Sequence, residues 1–145
     1  MFIDFRKAFD CVDHVILGEK LKALGVSEDM WISLMDYLAS RSQLTQIDDA
    51  SSESNLVKIG VPQGSLLGPG LIITYVNDLP DNIRSDEVCM CADDTTIYTI
   101  GNTTDEVAIA LQVIFDQLQT WCHKNRLIIH EGKCDTVLLL SLIHI

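Results

Sequence analysis

Three aspartates in apolar surroundings are the residues whose chemistry most needs an explanation. Asp93 and Asp94 are adjacent in the run MCADDTTIY, which otherwise reads as a buried β-hairpin, and Asp4 is the acidic residue of the opening run MFIDF. Adjacent carboxylates in a low dielectric repel each other and lose hydration, so they persist only beside positive charge or abundant water. A solvated turn at a hairpin tip meets this condition, and so does a divalent-cation site.

The position of Asp4 allows the same two interpretations. It could be an exposed residue of an edge strand, although strand alternation would then expose Phe2 as well. If its strand instead lies beside the Asp93–Asp94 hairpin, three carboxylates meet at one end of a sheet. Such a set of hard oxygen ligands suits two Mg²⁺ ions and leaves coordination positions for substrate phosphates. Two ions of this kind can activate an attacking hydroxyl group and stabilise a leaving phosphate.

A loop rich in glycine and proline, GVPQGSLLGPG, favours the cation site over the simple turn. It carries one amide, Gln63, between Gly60 and Gly64. Glycines let the backbone approach a ligand closely, and a glutamine side chain offers both a donor and an acceptor. This loop suits a platform for a base or a sugar, which a hairpin that only binds metal would not need.

Helices and strands alternate around these segments. The predicted helices cover about 12–25, 27–39, 69–79 and 103–124, and the predicted strands cover 1–5, 42–47, 55–60, 87–100 with a turn at the aspartates, 126–130 and 136–140. Gly25, Ser27 and Thr103 are the expected helix-capping residues, with Glu106 completing a capping box. This order predicts an α+β fold in which helices pack on one face of an antiparallel sheet.

Composition limits the possible classes of protein. At 145 residues, 48% of them hydrophobic and 21% charged, the chain is long enough for one folded domain with its own core. No apolar run could span a bilayer and no signal-peptide features are present, so a cytoplasmic or nuclear location is expected. The formal net charge of -11 argues against a protein that grips nucleic acid, because backbone binding requires Lys and Arg.

Several other polar and aromatic residues have simpler interpretations. Asp10, Asp13 and His14 form a cluster for which helix capping and solvation are favoured over catalysis. Trp31 and Trp121 lie on the apolar stripes of predicted helices and are expected in the core.

Three sequence blocks together make the chain resemble a known family. FIDFRKAFDCVDH, GVPQGSLLGP with YVNDLP, and ADDTTIY occur in this order, and they closely resemble the palm of reverse transcriptases of non-LTR (LINE-like) retrotransposons. The resemblance covers about residues 1–139 and implies a polymerase palm with a ferredoxin- or RRM-like core. The final run, 140–145, resembles translated adaptor sequence and is interpreted as an artificial tail.

The resemblance implies a catalytic role for four residues. Asp4, Asp93 and Asp94 fall at the positions of the metal-binding aspartates, which hold two Mg²⁺ ions, with Mn²⁺ as a possible substitute. Lys133, in LIIHEGK, falls at the position of a lysine that assists the departure of pyrophosphate.

The resemblance also implies residues that bind substrate. Phe9 falls at the aromatic steric gate that excludes a 2′-OH, the group that distinguishes ribonucleotides from deoxyribonucleotides. Gln63, with Gly64, falls where the family contacts the incoming nucleotide and the template. Arg6 and Lys7 lie beside the expected triphosphate path, with a solvated surface pair as the alternative.

The implied reaction is RNA-templated DNA synthesis, in which a primer 3′-OH attacks the α-phosphate of a dNTP. The expected partners are an RNA template, a DNA primer, the dNTP and the fingers and thumb segments of a longer polyprotein, with no membrane. Basic clamps in those segments would explain the acidity of this one. One alternative is an inactive relic that retains only a metal-binding palm, and the isolated fragment is expected to be inactive. Another is a template-independent cyclase-like palm, which would not need the Gln63 platform.

Overall fold

The computed structural model describes residues 1–83, 87–92 and 94–139. The helices are Ala8–Cys11 (α1), His14–Ala23 (α2), Glu28–Leu38 (α3), Gly68–Val76 (α4), Leu79–Asn82 (α5) and Thr104–Lys124 (α6), with a 3-10 turn at Glu131–Lys133. The strands are Phe2–Ile3 (β1), Arg41–Gln43 (β2), Gln46–Ile47 (β3), Ala50–Ser51 (β4), Asn55–Val57 (β5), Glu87–Cys91 (β6) and Asp94–Tyr98 (β7). This mixture of helices and antiparallel strands agrees with the predicted α+β class.

The main sheet has three antiparallel strands in the order β1-β7-β6. β6 and β7 form a hairpin, and β1 pairs with β7 so that Phe2 lies opposite Thr96 and Ile3 lies opposite Thr95. Ile3 and Thr95 are buried, whereas Phe2 on the opposite face is 47% exposed. The face that carries Ile3 therefore packs on the core, and the face that carries Phe2 is open, although the sequence pattern argued against exposing Phe2.

The C-terminal segment bonds to the other edge of β1. Its backbone bonds are Phe2 N to Asp135 O (2.7 Å), Asp135 N to Phe2 O (3.2 Å), His130 N to Asp4 O (2.9 Å) and Arg6 N to Ile128 O (2.7 Å). The prediction of strands over 126–130 and 136–140 was wrong within the described residues, because this segment makes only single bridges there, from Ile129 to Phe5 and from Asp135 to Phe2. The 3-10 turn Glu131–Lys133 joins the two halves beside this edge.

The ends of the helices follow the predicted signals in most cases. Gly25 ends α2 with a φ of 80°, which is the left-handed conformation expected of a C′ glycine. Thr103 caps α6 by accepting a bond from Glu106 N at 3.2 Å, and Glu106 accepts one from Asn102 N at 2.9 Å. Ser27 occupies the N-cap position of α3, but its side chain makes no capping bond.

The predicted helix 69–79 is divided into α4 and α5. α4 ends at Val76, and Pro80 lies within α5. Pro80 stands in the first turn of α5, where its missing N–H costs no helical bond. Of α3, only Leu38 is fully buried, and Trp31 is half-buried, so the expected core position of Trp31 is only partly correct. Trp121 is buried as predicted.

Tyr75 connects three separate parts of the chain. Its side chain is fully buried, its hydroxyl donates to Asn125 O at 2.6 Å, and it accepts a bond from Asp13 N at 3.3 Å. Burial raises the pKa of Tyr75 to about 12, so the hydroxyl stays protonated and able to donate. Through this one group, α4 holds both the start of α2 and the turn that follows α6.

A second polar contact lies beside the Tyr75 connection. The Lys20 ammonium bonds to Asp78 Oδ1 at 2.6 Å and lies 5.1 Å from the centre of the Trp121 ring. Trp121 Nε1 also donates to Asp78 Oδ1, at 3.3 Å. Burial lowers the pKa of Lys20, and the bond and charge of Asp78 oppose that shift. Asp78 therefore links α2 to α6.

The strands predicted at 42–47 and 55–60 pair with each other in the segment between α3 and α4. β2 pairs with β5, and farther out β3 pairs with β4, both antiparallel. This arm is mostly exposed. Within the described ranges, no helix combines the length and apolar character needed to cross a bilayer.

Replacing Tyr75 with Phe tests the connection described above. The substitution leaves Asn125 O and Asp13 N without their buried partner, so we expect the free energy of unfolding to fall by about 1–3 kcal/mol. Urea unfolding followed by circular dichroism measures this change. Tyr37→Phe is the matched control, because no bond to the Tyr37 hydroxyl is found in the described part of the chain, and its effect should stay within about 0.5 kcal/mol. Equal effects of the two substitutions would contradict the role of Tyr75.

Candidate functional site

Asp4 and Asp94 lie at the same end and on the same face of the main sheet. Asp4 follows Ile3 and Asp94 precedes Thr95, and these two neighbours are directly paired in the antiparallel register. Because side chains alternate along a strand, both aspartates lie on the face opposite the buried Ile3 and Thr95. Asp93, the third predicted carboxylate, lies outside the described residues, and its neighbour Asp94 is exposed.

Lys133 forms an ion pair with Asp4. Its ammonium lies 3.1 Å from Asp4 Oδ2, and the two side chains are 64% and 18% exposed respectively. The 3-10 turn Glu131–Lys133 brings the lysine there, because the residues on either side of the turn are bonded to the backbone around β1. The structure thus brings together Asp4 and Lys133, which are separated by most of the chain.

Backbone bonds attach the glycine- and proline-rich loop to α1. Gly60 N donates to Val12 O at 2.7 Å, and Val61 N donates to Phe9 O at 2.8 Å. Gly60 has a φ of +85°, and a Cβ at this position would lie 2.9 Å from the carbonyl oxygen of Asp10 and 3.0 Å from its Cα. Only glycine allows this approach, which sets the loop directly against the helix that follows Asp4.

Two side chains bind the backbone carbonyl oxygen of Gly60 in the same loop. His14 Nε2 lies 2.8 Å from Gly60 O, and Arg41 Nη2 donates to the same oxygen at 2.7 Å. Arg41 Nε also donates to Leu38 O at 3.1 Å. Arg41 was not singled out in the sequence, because a lone arginine after a helix carries no recognisable signal. The predicted capping or solvated role of His14 is incomplete, since its ring contacts the loop.

Gln63 and Asp10 meet across the junction of loop and helix. Gln63 Nε2 donates to Asp10 Oδ1 at 2.9 Å. Both residues line an open cavity of about 700 Å³, together with Arg41, Ser42, Gln43, Val57, Ile59, Gly60, Val61 and Pro62. The loop therefore presents its one amide beside a cavity, as a platform for a base or a sugar would require.

The aspartate that caps a helix is Asp13 and not Asp10. Asp13 Oδ1 accepts bonds from Val15 N at 2.9 Å and Ile16 N at 3.1 Å, and Asp13 Oδ2 accepts one from Arg126. Burial raises the pKa of Asp13, but the two N–H groups and the Arg126 charge outweigh burial, and the pKa lies below its ordinary value. Of the predicted capping and solvation, the capping is confirmed for Asp13, whereas Asp10 is exposed to solvent and does not cap α1, which has Lys7 at its N-cap.

The remaining predicted substrate-binding residues lie around α1 and the loop. Phe9 is half-buried and packs against the core, and Gly64 has a φ of +76° with open space around it. Arg6 and Lys7 are exposed just after β1. Arg6 lines a cavity of about 420 Å³ with residues 128–132, which is separate from the cavity beside Gln63.

The site offers carboxylate oxygens, which are hard ligands for cations, together with the side-chain amide of Gln63. In the part of the chain that the structure describes, no three His, Cys, Asp or Glu side chains are grouped so that they could hold a metal ion. Asp4 and Asp94 supply two carboxylates on adjacent strands, which is a partial set for a cation such as Mg²⁺. The ammonium of Lys133 supplies the positive charge beside Asp4.

The chain matches known proteins over almost its whole length. A family model described as reverse transcriptase (RNA-dependent DNA polymerase) matches residues 1–140. The RNA-directed DNA polymerase from mobile element jockey of Drosophila funebris is 32% identical over 143 residues, which cover 94% of this chain and 16% of that protein. The probable RNA-directed DNA polymerase from transposon BS of Drosophila melanogaster is 32% identical over 152 residues, covering 97% of this chain and 17% of that protein.

Replacing Gly60 with Ala tests the contact between the loop and α1. The new Cβ would clash with the backbone of Asp10, which cannot move aside as a flexible side chain could. We therefore expect a loss of about 1–3 kcal/mol in the free energy of unfolding. Urea denaturation measures the change.

Two further glycines serve as controls for that substitution. Gly64 has a positive φ and Gly70 does not, and both have open space around them. Gly64→Ala reports backbone strain alone, and Gly70→Ala in α4 should be neutral or stabilising by up to about 1 kcal/mol. If Gly60→Ala costs no more than Gly64→Ala, the close approach of loop and helix is not what requires a glycine at position 60.

Proposed function

The chain belongs to the reverse transcriptase family, and from this premise we propose that it supplies the catalytic palm of an RNA-directed DNA polymerase. The resemblance to non-LTR retrotransposon enzymes inferred from the three sequence blocks is confirmed by the family match and by the relatives from mobile elements. The chain spans 16–17% of the length of these relatives. We propose that fingers and thumb segments of the longer protein hold the RNA template and the DNA primer, while this segment carries out the transfer from the dNTP.

The register of β1 against β7 is the observation that carries this proposal. It brings Asp4 and Asp94, which come from the first and third sequence blocks, to one end of the sheet. The second block lies against α1, directly after the Asp4 strand. An antiparallel sheet whose buried face packs in one core with α1, α4 and α6 supports a palm-like arrangement for residues 1–139.

Reverse transcriptases generally use divalent metal ions, and the carboxylates at this site fit that use. Asp4 and Asp94 offer hard oxygens on paired strands, and the exposed position of Asp94 leaves room for water and phosphate ligands. We assign Asp4, Asp93 and Asp94 as the ligands of two Mg²⁺ ions, with Mn²⁺ as a substitute. When bound, such ions would lower the pKa of the primer hydroxyl and stabilise charge on the leaving pyrophosphate.

The residues around the carboxylates have proposed roles in binding and proton transfer. We propose that Lys133, whose ammonium lies 3.1 Å from Asp4 Oδ2, neutralises or protonates a departing pyrophosphate. Gln63 and Gly64 form the platform for the nucleotide and the template, and Phe9 forms the barrier to a 2′-OH. Arg6 and Lys7 are exposed after β1, and their proposed role is to contact the triphosphate.

The isolated chain is expected to be unable to extend a primer. Its net charge is -11, and gripping a nucleic-acid backbone depends on Lys and Arg. An inactive relic with a metal-binding palm would behave in the same way, so the isolated chain cannot separate the two possibilities. The separating experiment joins this chain to the segments encoded on either side of it.

Primer extension on a poly(rA) template with an oligo(dT) primer and Mg²⁺ tests the proposed function. We expect incorporation by the extended protein and a loss of at least ~100-fold in Asp4→Asn and Asp94→Asn, because each substitution weakens the binding of ions that stabilise charge in the transition state. Asp116→Asn on α6 is the matched control and should retain the wild-type rate. Absence of incorporation by the extended wild type would leave only the relic, and full activity in both site variants would refute the assignment of the ligands.

Replacing Lys133 with Met tests whether this lysine competes with cations for Asp4. The ion pair is partly exposed, and such pairs contribute about 0.2–1 kcal/mol, so divalent-cation affinity should rise by ~1.5- to 5-fold. Mn²⁺ titration followed by electron paramagnetic resonance measures the affinity without any need for catalysis. Lys124→Met, at the C-terminal end of α6, controls for net charge. Equal changes in the two variants would show that only the overall charge matters.

A further inference from the structure

We infer that Asp10 is a positioning residue that holds the side-chain amide of Gln63 in one orientation. The inference rests on the proposed function, in which Gln63 contacts the nucleotide and the template. Asp10 is the last residue of the AFD run in the first sequence block, and neither the capping of a helix nor the binding of metal accounts for its carboxylate.

The bond between the two side chains determines the orientation of the amide. Gln63 Nε2 lies 2.9 Å from Asp10 Oδ1. An ionised carboxylate only accepts hydrogen bonds, so it binds the NH₂ group of the amide and repels the carbonyl oxygen. A rotated amide would set Oε1 against the carboxylate. Since no partner for Gln63 Oε1 is found among the described residues, this acceptor can face a ligand.

The backbone on both sides of this bond is held in place. Gly60 N bonds to Val12 O and Val61 N bonds to Phe9 O, so the start of the loop is tied to α1 on either side of Asp10. The close approach of Gly60 to the Asp10 backbone reinforces this contact. The side-chain bond adds a third link between helix and loop, and it is the only one of the three that acts on the amide.

Asp10 has no competing partner among the described residues. The three ion pairs found there use Asp4, Asp13 and Asp78. Arg41 lines the same cavity, but its guanidinium is engaged by Gly60 O and Leu38 O. Gln63 is therefore the side-chain partner found for the Asp10 carboxylate among the described residues, in a bond between two exposed side chains.

This orientation predicts which ligand groups Gln63 recognises. A free Oε1 accepts from a hydroxyl or amino group, so the platform selects a donor-bearing edge of the base or sugar. Without Asp10 the amide can rotate and present its NH₂ group to the same edge. Loss of this orientation weakens the binding of the substrate and of the transition state equally. It therefore raises KM for the dNTP and leaves kcat nearly unchanged.

The first experiment observes the amide in the 145-residue chain. In ¹⁵N-labelled protein, Asp10→Ala should shift the Gln63 side-chain NH₂ resonances and speed their exchange with water, whereas Asp10→Asn, which keeps an acceptor oxygen, should largely restore them. The pair Gln112 and Asp116 on α6 is the matched control, since Gln112 Nε2 donates to Asp116 Oδ1 at 2.8 Å. Asp116→Ala should move the Gln112 signals and leave those of Gln63 unchanged. Unchanged Gln63 signals in Asp10→Ala would overturn the inference.

The second experiment is a double-mutant cycle in the extended polymerase. Asp10→Ala should raise KM for the dNTP ~3- to 10-fold, and the same substitution should have no further effect in a Gln63→Ala background, because the two residues act as a unit. Asp10→Asn should recover most of the loss. Additive effects would show that Asp10 acts independently of Gln63 and would overturn the inference while leaving the polymerase function intact. If the extended wild type incorporates nothing, the proposed function fails, and the amide measurement still decides the orientation.

Discussion

The antiparallel register between β1 and β7 is the constraint on which the candidate site depends. Ile3 and Thr95 are paired and buried, and because side chains alternate, Asp4 and Asp94 must then lie on the opposite, open face. A slip of one residue would turn an aspartate into the core, where an unpaired carboxylate is strongly unfavourable. The burial of this pair of residues thus also fixes on which face the carboxylates lie.

A second level of organisation comes from backbone contacts that bring distant sequence blocks together. The loop that begins at Gly60 is held against α1 by bonds to Phe9 and Val12, and the C-terminal segment is held against β1. As a result, Asp4, Gln63 and Lys133 all depend on the short stretch from β1 to α1. A change in that stretch would therefore displace the Asp4 carboxylate, the Gln63 amide and the Lys133 ammonium together.

The sequence allowed much of this arrangement to be predicted, since its strongest signals are local. A few neighbouring residues determine the C′ position of Gly25, the side-chain cap of Thr103 and the hairpin between α3 and α4. The family blocks supplied the candidate residues. The contacts between distant segments were not predicted. No pattern of neighbouring residues indicates that the segment after α6 bonds to the chain around β1. Lys133 beside Asp4, Arg126 beside Asp13 and Lys20 beside Asp78 are contacts of the same long-range kind.

These three ion pairs also bear on how so acidic a chain can serve a nucleic-acid enzyme. The chain has 10 Lys and Arg residues against 21 Asp and Glu, and each of the three pairs places one cation on an aspartate of the chain itself. Cations bound in this way neutralise carboxylates of the chain itself and are less available to bind phosphates. The carboxylates of Asp4 and Asp94 add negative charge at one end of the sheet, which favours cations there. In the polymerase proposed above, basic segments elsewhere would bind the duplex, and screening at physiological ionic strength would limit the repulsion between the acidic site and the nucleic-acid backbone to about 8 Å.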